Sequence, residues 1–168
     1  MIRNIVFDIG NVLIGFEPMD YLTSLFGEKK AVRIAEAVFG SGYWQELDIA
    51  RLRVGEILDL FYSAAPDLQK EIKEAFYRIG DCVTRLEWPV PLIDSLKEKG
   101  YHVYFLSNMS EHVKASNTAA FDFVSHMDGG IWSCDVHTIK PDTDIYKLLF
   151  DKYGLIPEES LFIDDHKE

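Results

Sequence analysis

Three short apolar runs, each ending in polar residues, constrain the fold of this chain most strongly. They occupy residues 2–7, 101–106 and 161–163, and their β-branched and aromatic content predicts buried strands. The second and third runs each follow a helical pattern that ends at a glycine, Gly100 and Gly154 respectively. Strands that alternate with helices predict an α/β fold with a parallel, doubly wound, Rossmann-like sheet.

A long helical stretch separates the first strand from the others. Between about residues 18 and 85, apolar residues recur at helical spacing, which predicts three to five inserted helices. Two further short extended segments are predicted at residues 121–124 and 131–133. The predicted division is a core domain of residues 1–15 and 86–168 and a helical cap of residues 16–85.

The charge of the chain argues against several classes of partner. Among its 168 residues, 17 Lys and Arg stand against 28 Asp and Glu, which gives a net charge of −11. A field of that sign repels nucleic acids and anionic membrane surfaces. The N-terminus lacks the pattern of a signal peptide, and Cys82 and Cys134 lack metal-ligand spacing. We therefore expect a cytoplasmic protein with free thiols and with neither a nucleic-acid nor a membrane partner.

Polar side chains follow the predicted strands at the edge where parallel sheets bind ligands. They are Asp8 after the first strand, Ser107 and Asn108 after the second, Lys140 in a loop, and Asp164 and Asp165 after the third. Carboxylates from separate strands suit a hard cation such as Mg²⁺, and lysine and hydroxyl groups bind phosphate oxygens. One carboxylate could attack phosphorus. The set therefore indicates phosphoryl transfer.

Each of these residues taken singly has an ordinary structural explanation. An aspartate or Ser-Asn pair after a strand is usually a turn or a cap, and a loop lysine is usually solvated. The adjacent pair Asp164-Asp165 is more specific, because two neighbouring carboxylates repel and require a cation or a cap. The order and spacing of the whole set carry the functional prediction.

The four motifs together resemble those of the haloacid dehalogenase-like (HAD) hydrolase superfamily. The motifs are IVFDIGNVL with Asp8, YFLSN with Ser107, IKPDTDIY with Lys140, and FIDD with Asp164 and Asp165. The helical insertion after the first motif is similar to the small cap of that superfamily. Within it, the chain is most similar to small phosphatases with a DxGNV motif, a group that includes an α-D-glucose-1-phosphate phosphatase.

This resemblance implies a role for each strand-end residue. It implies a Mg²⁺ site of oxygen ligands, namely Asp8, the backbone carbonyl of Gly10, Asp164 and, through water, Asp165. It implies a phosphate site made of Ser107, Asn108 and Lys140, with Asp8 also acting as the nucleophile. The expected activity is hydrolysis of a small phosphorylated metabolite, such as a sugar phosphate, through an aspartyl phosphate.

The cap contains an aromatic pair, Tyr43-Trp44, that resembles a family pattern in which an aromatic side chain lies near the site. We expect Trp44 to contact the substrate and to influence which leaving group fits. The alternative is that both rings are ordinary core aromatics.

Two features depart from the family pattern. Gly10 stands where superfamily phosphatases usually place a second aspartate as general acid and base, a group typically worth ~10²–10⁴-fold in rate. Glu17 or a cap residue could replace it. The chain also ends soon after Asp165, whereas family members continue with a helix, a strand and a helix. We therefore expect a missing C-terminal strand and helix, and an exposed sheet edge that lowers stability or is covered in a homo-oligomer.

Two other functions are compatible with these motifs. A 2-haloacid dehalogenase also uses an aspartate nucleophile, but Asp164 and Asp165 would repel an anionic haloacid in the absence of a cation. A catalytically weak binding or regulatory protein with the same fold is the other alternative, and Gly10 and the short C-terminus favour it.

Overall fold

The computed structural model describes residues 1–165, so residues 166–168 of the predicted core domain lie outside the described part. It contains six strands: β1 (Asn4–Phe7), β2 (Ile14–Phe16), β3 (Val83–Arg85), β4 (His102–Ser107), β5 (Gly129–Trp132) and β6 (Ser160–Ile163). Its nine α-helices are α1 (Pro18–Phe26), α2 (Glu28–Ala35), α3 (Trp44–Asp48), α4 (Val54–Ala64), α5 (Gln69–Tyr77), α6 (Pro89–Glu98), α7 (Glu111–Ser116), α8 (Ser133–Val136) and α9 (Thr143–Tyr153). None of the helices in residues 1–165 combines the length and apolar composition that crossing a bilayer requires.

The main sheet is parallel and has the strand order β5-β4-β1-β6. Successive side chains of its central strand point to opposite faces. Ile5 and Phe7 join the larger apolar cluster, whereas Val6 packs with Ile145 and Leu149 of α9 on the other face. The predicted α/β fold with a parallel sheet is confirmed.

Strand β6 is the edge strand of this sheet within the described residues. Phe162 packs against Tyr146 and Phe150 of α9, while Leu161 and Ile163 on the other face are 47% and 37% exposed. Within the described residues β6 thus has one neighbouring strand, and the expected absence of a further C-terminal strand and helix stays a prediction. The reduced stability and the homo-oligomer that we associated with it stay predictions.

The cap contains five α-helices, α1 to α5, together with one π-helical and two 3₁₀ segments, and lies between β2 and β3. Those two strands pair antiparallel and form a two-stranded connection between cap and core. The predicted domain boundaries fall within β2 and at the end of β3, and the division into two domains stays a prediction. Ile34, Phe61 and Ile72 are fully buried in the cap and belong to the same apolar cluster as Ile5 and Phe7 of the sheet.

One predicted segment has a different conformation in the structure. Residues 121–124, predicted as extended, lie in the 3₁₀ helix Thr118–His126, so that prediction is wrong. Ala120 and Phe123 are the buried residues of this helix, and their spacing of three is that of a 3₁₀ turn. A run this short does not distinguish a strand from a buried helical turn.

The predicted free thiols Cys82 and Cys134 are both buried and unpaired.

The end of cap helix α3 is bonded to the core through buried polar groups. The fully buried Ser133 hydroxyl donates to the Asp48 carbonyl at 2.6 Å and accepts the Met109 N–H at 2.9 Å. His137 Nδ1 lies 2.9 Å from the Ile49 carbonyl, so its N–H donates to that oxygen. Three backbone groups are thereby satisfied where the cap meets the core.

The side chain of Asp48 is buried at the same junction. The residue is 8% exposed, and burial raises the pKa of its carboxyl to about 7, while a hydrogen bond from the Ser110 N–H opposes that rise. The ionised form is therefore disfavoured in the folded protein.

We predict that Asp48→Asn changes the pH dependence of stability. Because the folded pKa of about 7 lies above the usual 3.8, the Asp48 contribution is fully present below about pH 4 and is lost as pH rises through 7. The asparagine does not titrate. The unfolding free energy of the variant relative to wild type should therefore increase from pH 4 to pH 8, by about 4 kcal/mol at most.

Urea denaturation at several pH values measures this difference, and the exposed Asp151→Asn is a matched control for the charge change. Parallel pH profiles of wild type and Asp48→Asn would contradict the prediction.

Candidate active site

Six of the predicted site residues border a cavity of about 500 Å³ at the carboxyl ends of the central strands, whereas Ser107 and Trp44 do not line it. Strand β1 lies between β4 and β6, so the chain order reverses beside it, and such switch points form ligand crevices in open α/β sheets. The cavity is lined by Asp8, Gly10, Asn11, Phe16, Gln45, Asn108, Lys140, Pro141, Tyr146, Phe162, Asp164 and Asp165.

At the centre of the site, the Lys140 ammonium bridges two carboxylates. Its Nζ lies 3.0 Å from Asp8 Oδ1 and donates to Asp164 Oδ2 at 2.6 Å. The side chains of Asp8 and Lys140 are only 10% and 11% exposed. Asp8 directly follows β1, and its N–H donates to the Ile163 carbonyl of β6 at 2.8 Å, which fixes its backbone between two strands.

Burial and the ion pair act in opposite directions on both Asp8 and Lys140. Burial raises the pKa of the Asp8 carboxyl, and although Lys140 opposes this, that pKa stays above its usual value. Burial lowers the pKa of the Lys140 ammonium, but the charges and hydrogen bonds of Asp8 and Asp164 outweigh it, so that pKa lies above its usual value. Lys140 is therefore held firmly in its charged form.

Three carboxylates meet at this point. Oxygen atoms of Asp8, Asp164 and Asp165 all lie within 4.8 Å of one another. The Lys140 ammonium is paired with two of them, Asp8 and Asp164. When every group is ionised, the three carboxylates and the one ammonium carry a net charge of −2. Hard oxygen donors with an excess of negative charge form a set that suits a divalent cation.

Asn108 links the second strand to the loop that bears the lysine. Its side-chain amide donates to the Lys140 carbonyl at 2.9 Å and accepts the Lys140 N–H at 2.7 Å. The neighbouring Ser107 is 1% exposed, and its hydroxyl has no hydrogen-bond partner among residues 1–165. A buried hydroxyl without a partner is rare in proteins, and a bound ligand is one way to satisfy it.

A family model of haloacid dehalogenase-like hydrolases matches residues 2–168 of this sequence. The chain belongs to this family. The resemblance that the four motifs predicted is thereby confirmed, and the chain is a HAD-like hydrolase. The narrower resemblance to α-D-glucose-1-phosphate phosphatase stays a prediction.

Individual relatives cover nearly the whole chain. D-ribitol-5-phosphate phosphatase of Bacteroides thetaiotaomicron is 29% identical over an alignment 184 positions long, which covers 98% of this chain and 84% of the relative. A HAD-like family hydrolase structure from Porphyromonas gingivalis has a TM-score of 0.73 and 26% identity, and the match covers 99% of this chain and 83% of that one. A B. thetaiotaomicron HAD enzyme in complex with magnesium and inorganic phosphate has a TM-score of 0.71 at 19% identity, over 99% and 86% of the two chains.

Gly10 of this HAD-like hydrolase lines the cavity two residues after Asp8. A Cβ atom built on Gly10 would meet no other atom within 4 Å, so the backbone leaves room for a side chain there. Glu17, the candidate substitute for the absent carboxylate, lines a separate cavity together with Arg78 and Asp81. Its position does not support that role.

Trp44 is placed in the cap core instead of at the cavity. Its ring centre lies 4.7 Å from that of Phe39 and 6.5 Å from that of Phe61. The adjacent Gln45 lines the cavity. The expected contact of Trp44 with the substrate stays a prediction.

We predict that Ser107→Ala and Asn108→Ala differ in stability. Ser107→Ala removes a buried hydroxyl that has no partner, so the unfolding free energy should stay unchanged or increase. Asn108→Ala leaves the Lys140 N–H and carbonyl without their partners, so the unfolding free energy should fall by about 1–3 kcal/mol. Urea denaturation of both variants measures the contrast. An equal loss in both variants would show that the Ser107 hydroxyl is bonded in solution.

Proposed function

We propose that this HAD-like hydrolase is a Mg²⁺-dependent phosphomonoesterase that acts on a small phosphorylated metabolite, with Asp8 as the nucleophile. The observation that carries the proposal is the meeting of Asp8, Asp164 and Asp165 around Lys140 at the carboxyl ends of β1 and β6. A phosphate dianion would be repelled by three carboxylates, so the cluster fits a phosphate ester only together with a cation.

The donors present fit Mg²⁺. The side chains of Asp8, Asp164 and Asp165 and the backbone carbonyl of Gly10 would hold it, all of them hard oxygen ligands. When bound, Mg²⁺ supplies positive charge that neutralises phosphate oxygens. The unpartnered Ser107 hydroxyl and the Lys140 ammonium are the donors of this chain for the remaining phosphoryl oxygens.

The proposed reaction has two displacements at phosphorus. A carboxylate oxygen of Asp8 forms a bond to phosphorus while the bond from phosphorus to the alcohol oxygen breaks, and the alcohol takes up a proton from solvent. Water then attacks the aspartyl phosphate: its oxygen bonds to phosphorus, its proton passes to solvent, and the bond between phosphorus and the Asp8 oxygen breaks, which regenerates Asp8 and releases inorganic phosphate. Lys140 holds Asp8 in place for attack and offsets negative charge on the transferring group.

The cavity walls and the relatives support a polar metabolite as substrate. Beyond the carboxylates, Gln45 and Asn11 contribute polar groups to the wall and Phe16, Tyr146 and Phe162 contribute aromatic ones. A mixed lining of this kind suits a polyol or sugar phosphate. The relative D-ribitol-5-phosphate phosphatase acts on a substrate of this class, which supports the same proposal.

The acidic cluster argues against a 2-haloacid dehalogenase. A haloacid carries a carboxylate, and Asp164 and Asp165 lie within 4.8 Å of the nucleophile oxygen, where they would repel it. A dehalogenase attacks carbon and has no use for a cation that would offset this repulsion. The same cluster is compatible with a weakly catalytic binding protein, which the absence of turnover would favour.

An assay of the purified protein against a panel of substrates tests the proposal directly. The panel contains p-nitrophenyl phosphate, sugar 1-phosphates, alditol 5-phosphates and 2-chloropropionate, each assayed with MgCl₂ and with EDTA. We expect Mg²⁺-dependent release of phosphate, and we expect Asp8→Asn to lower kcat by ~10³-fold or more because an amide is a poor nucleophile.

Asp151→Asn, at an exposed site on α9, controls for loss of one negative charge. Turnover of Asp8→Asn within about tenfold of wild type would remove the nucleophile assignment. Metal-independent chloride release from 2-chloropropionate would instead establish the dehalogenase function.

We predict that Gly10→Asp raises turnover most for substrates with poor leaving groups. With glycine at position 10, no carboxylate two residues after Asp8 protonates the alcohol or activates water, so wild type should prefer good leaving groups such as anomeric phosphates. It should also accumulate the aspartyl phosphate and show a burst of alcohol release. Gly10→Asp should relieve both steps by up to ~10²–10⁴-fold, since its Cβ meets no atom within 4 Å.

Stopped-flow measurements on p-nitrophenyl phosphate and steady-state rates on an alkyl phosphate test this prediction. Gly10→Ala controls for the added Cβ without a carboxylate. A folded Gly10→Asp protein with an unchanged burst and no gain on alkyl phosphates would show that another group already transfers the proton.

A further inference from the structure

We propose that Asp48 is a positioning residue, which fixes cap helix α3 to the backbone segment that carries Ser107 and Asn108. Its effect on catalysis rests on the proposed function. The fixing itself concerns hydrogen bonds between cap and core and is measurable without any activity.

Two backbone amides that directly follow Ser107 and Asn108 are bonded to Asp48, one of them through Ser133. The Ser110 N–H donates to the Asp48 carboxyl group. The Met109 N–H donates to the Ser133 hydroxyl, which in turn donates to the Asp48 carbonyl at 2.6 Å. Side chain and main chain of one cap residue therefore hold consecutive residues of the core.

The lysine loop is tied to the same turn of the cap. His137, three residues before Lys140, donates through Nδ1 to the carbonyl of Ile49, the neighbour of Asp48. Lys140 is in turn paired with Asn108 through both of its backbone polar groups. Residues 48 and 49 thus contact both segments that supply the proposed phosphate ligands.

The other end of α3 borders the cavity. Gln45 lines it, and the Ile49 N–H donates to the Gln45 carbonyl at 3.0 Å, so Gln45 and the anchored turn belong to one rigid helical turn. A displacement at Asp48 would shift Gln45 relative to Ser107. The position of the cap wall over the substrate is therefore set by the Asp48 contacts.

The burial of Asp48 indicates that its carboxyl group has a specific use. An apolar side chain at an 8% exposed position would avoid the desolvation cost of a carboxyl group, but it would offer no acceptor for the Ser110 N–H. Burying that amide without a partner carries its own penalty. The carboxyl satisfies the amide and fixes the register between helix and segment.

Asp48→Ala, Asp48→Asn and a matched control test the proposal. The asparagine keeps an acceptor oxygen for the Ser110 N–H, whereas the alanine removes it. Asn4→Ala is the control, because Asn4 is a buried polar residue at the opposite end of β1 that bonds to Ser160 at 3.1 Å. The measurements are amide hydrogen exchange of Met109 and Ser110, binding of inorganic phosphate in the presence of Mg²⁺, and kcat and KM.

We expect Asp48→Ala to accelerate exchange at the Ser110 amide by about tenfold, the equivalent of one lost hydrogen bond, whereas the Met109 amide keeps its bond to Ser133. We expect Asp48→Ala to weaken phosphate binding and to lower kcat, each by about tenfold as well. Asp48→Asn should stay within about threefold of wild type in all three measurements. Asn4→Ala should lose stability while it keeps phosphate binding and kcat.

Several results would overturn the proposal. Unchanged exchange at the Ser110 amide in Asp48→Ala would remove the anchoring, and faster exchange there with unchanged phosphate binding and kcat would remove the positioning role. If wild type neither binds phosphate nor turns over substrate, the proposed function fails, and exchange alone decides the anchoring. If Asp48→Ala does not fold, Ser133→Ala breaks the bonds of the Ser133 hydroxyl to Met109 and to the Asp48 carbonyl, and it should accelerate exchange at the Met109 amide and lower kcat.

Discussion

The bridge that Lys140 forms between Asp8 and Asp164 is the interaction on which the rest of the site depends. It joins the ends of β1 and β6 through a single ammonium whose side chain is 11% exposed. Without it, three carboxylates within 4.8 Å of one another would repel at the edge of the sheet. The parallel pairing of β1 and β6 brings these groups together. Two hydrogen bonds from the Asn108 side chain fix the backbone of Lys140 beside them.

The part of the site that consists of residues at strand ends could be predicted from the sequence. Asp8, Asn108, Lys140, Asp164 and Asp165 border one cavity because parallel strands end at one edge, and a short run such as residues 2–7 shows where each strand ends. Contacts between distant segments were not predictable in this way. That Gln45 lines the cavity depends on the rotation of α3, and the partner of Asp48, 62 residues away at Ser110, follows only from how the cap docks.

Two buried polar groups lower stability at the places that the proposed function uses. The Ser107 hydroxyl lacks a partner within residues 1–165, and the Asp48 carboxyl is buried with a pKa of about 7. The first departs from the rule that buried polar groups are hydrogen-bonded, and the second places a titratable group in the interior; such departures concentrate at functional sites. Ser107 offers a donor to a ligand, and Asp48 offers an acceptor to the segment that carries Ser107. The two departures are linked, since the second fixes the position of the first.

The same ammonium that organises the site is a poor donor of protons. The charges and hydrogen bonds of Asp8 and Asp164 hold the pKa of Lys140 above its usual value, so at neutral pH it retains its proton and acts through its charge. Gly10 supplies no carboxylate, and Glu17 lies at another cavity. Among the lining residues, the arrangement therefore stabilises a departing oxygen by positive charge more readily than by proton transfer. A leaving group that tolerates departure with little protonation, as at an anomeric carbon, matches that electrostatic arrangement best.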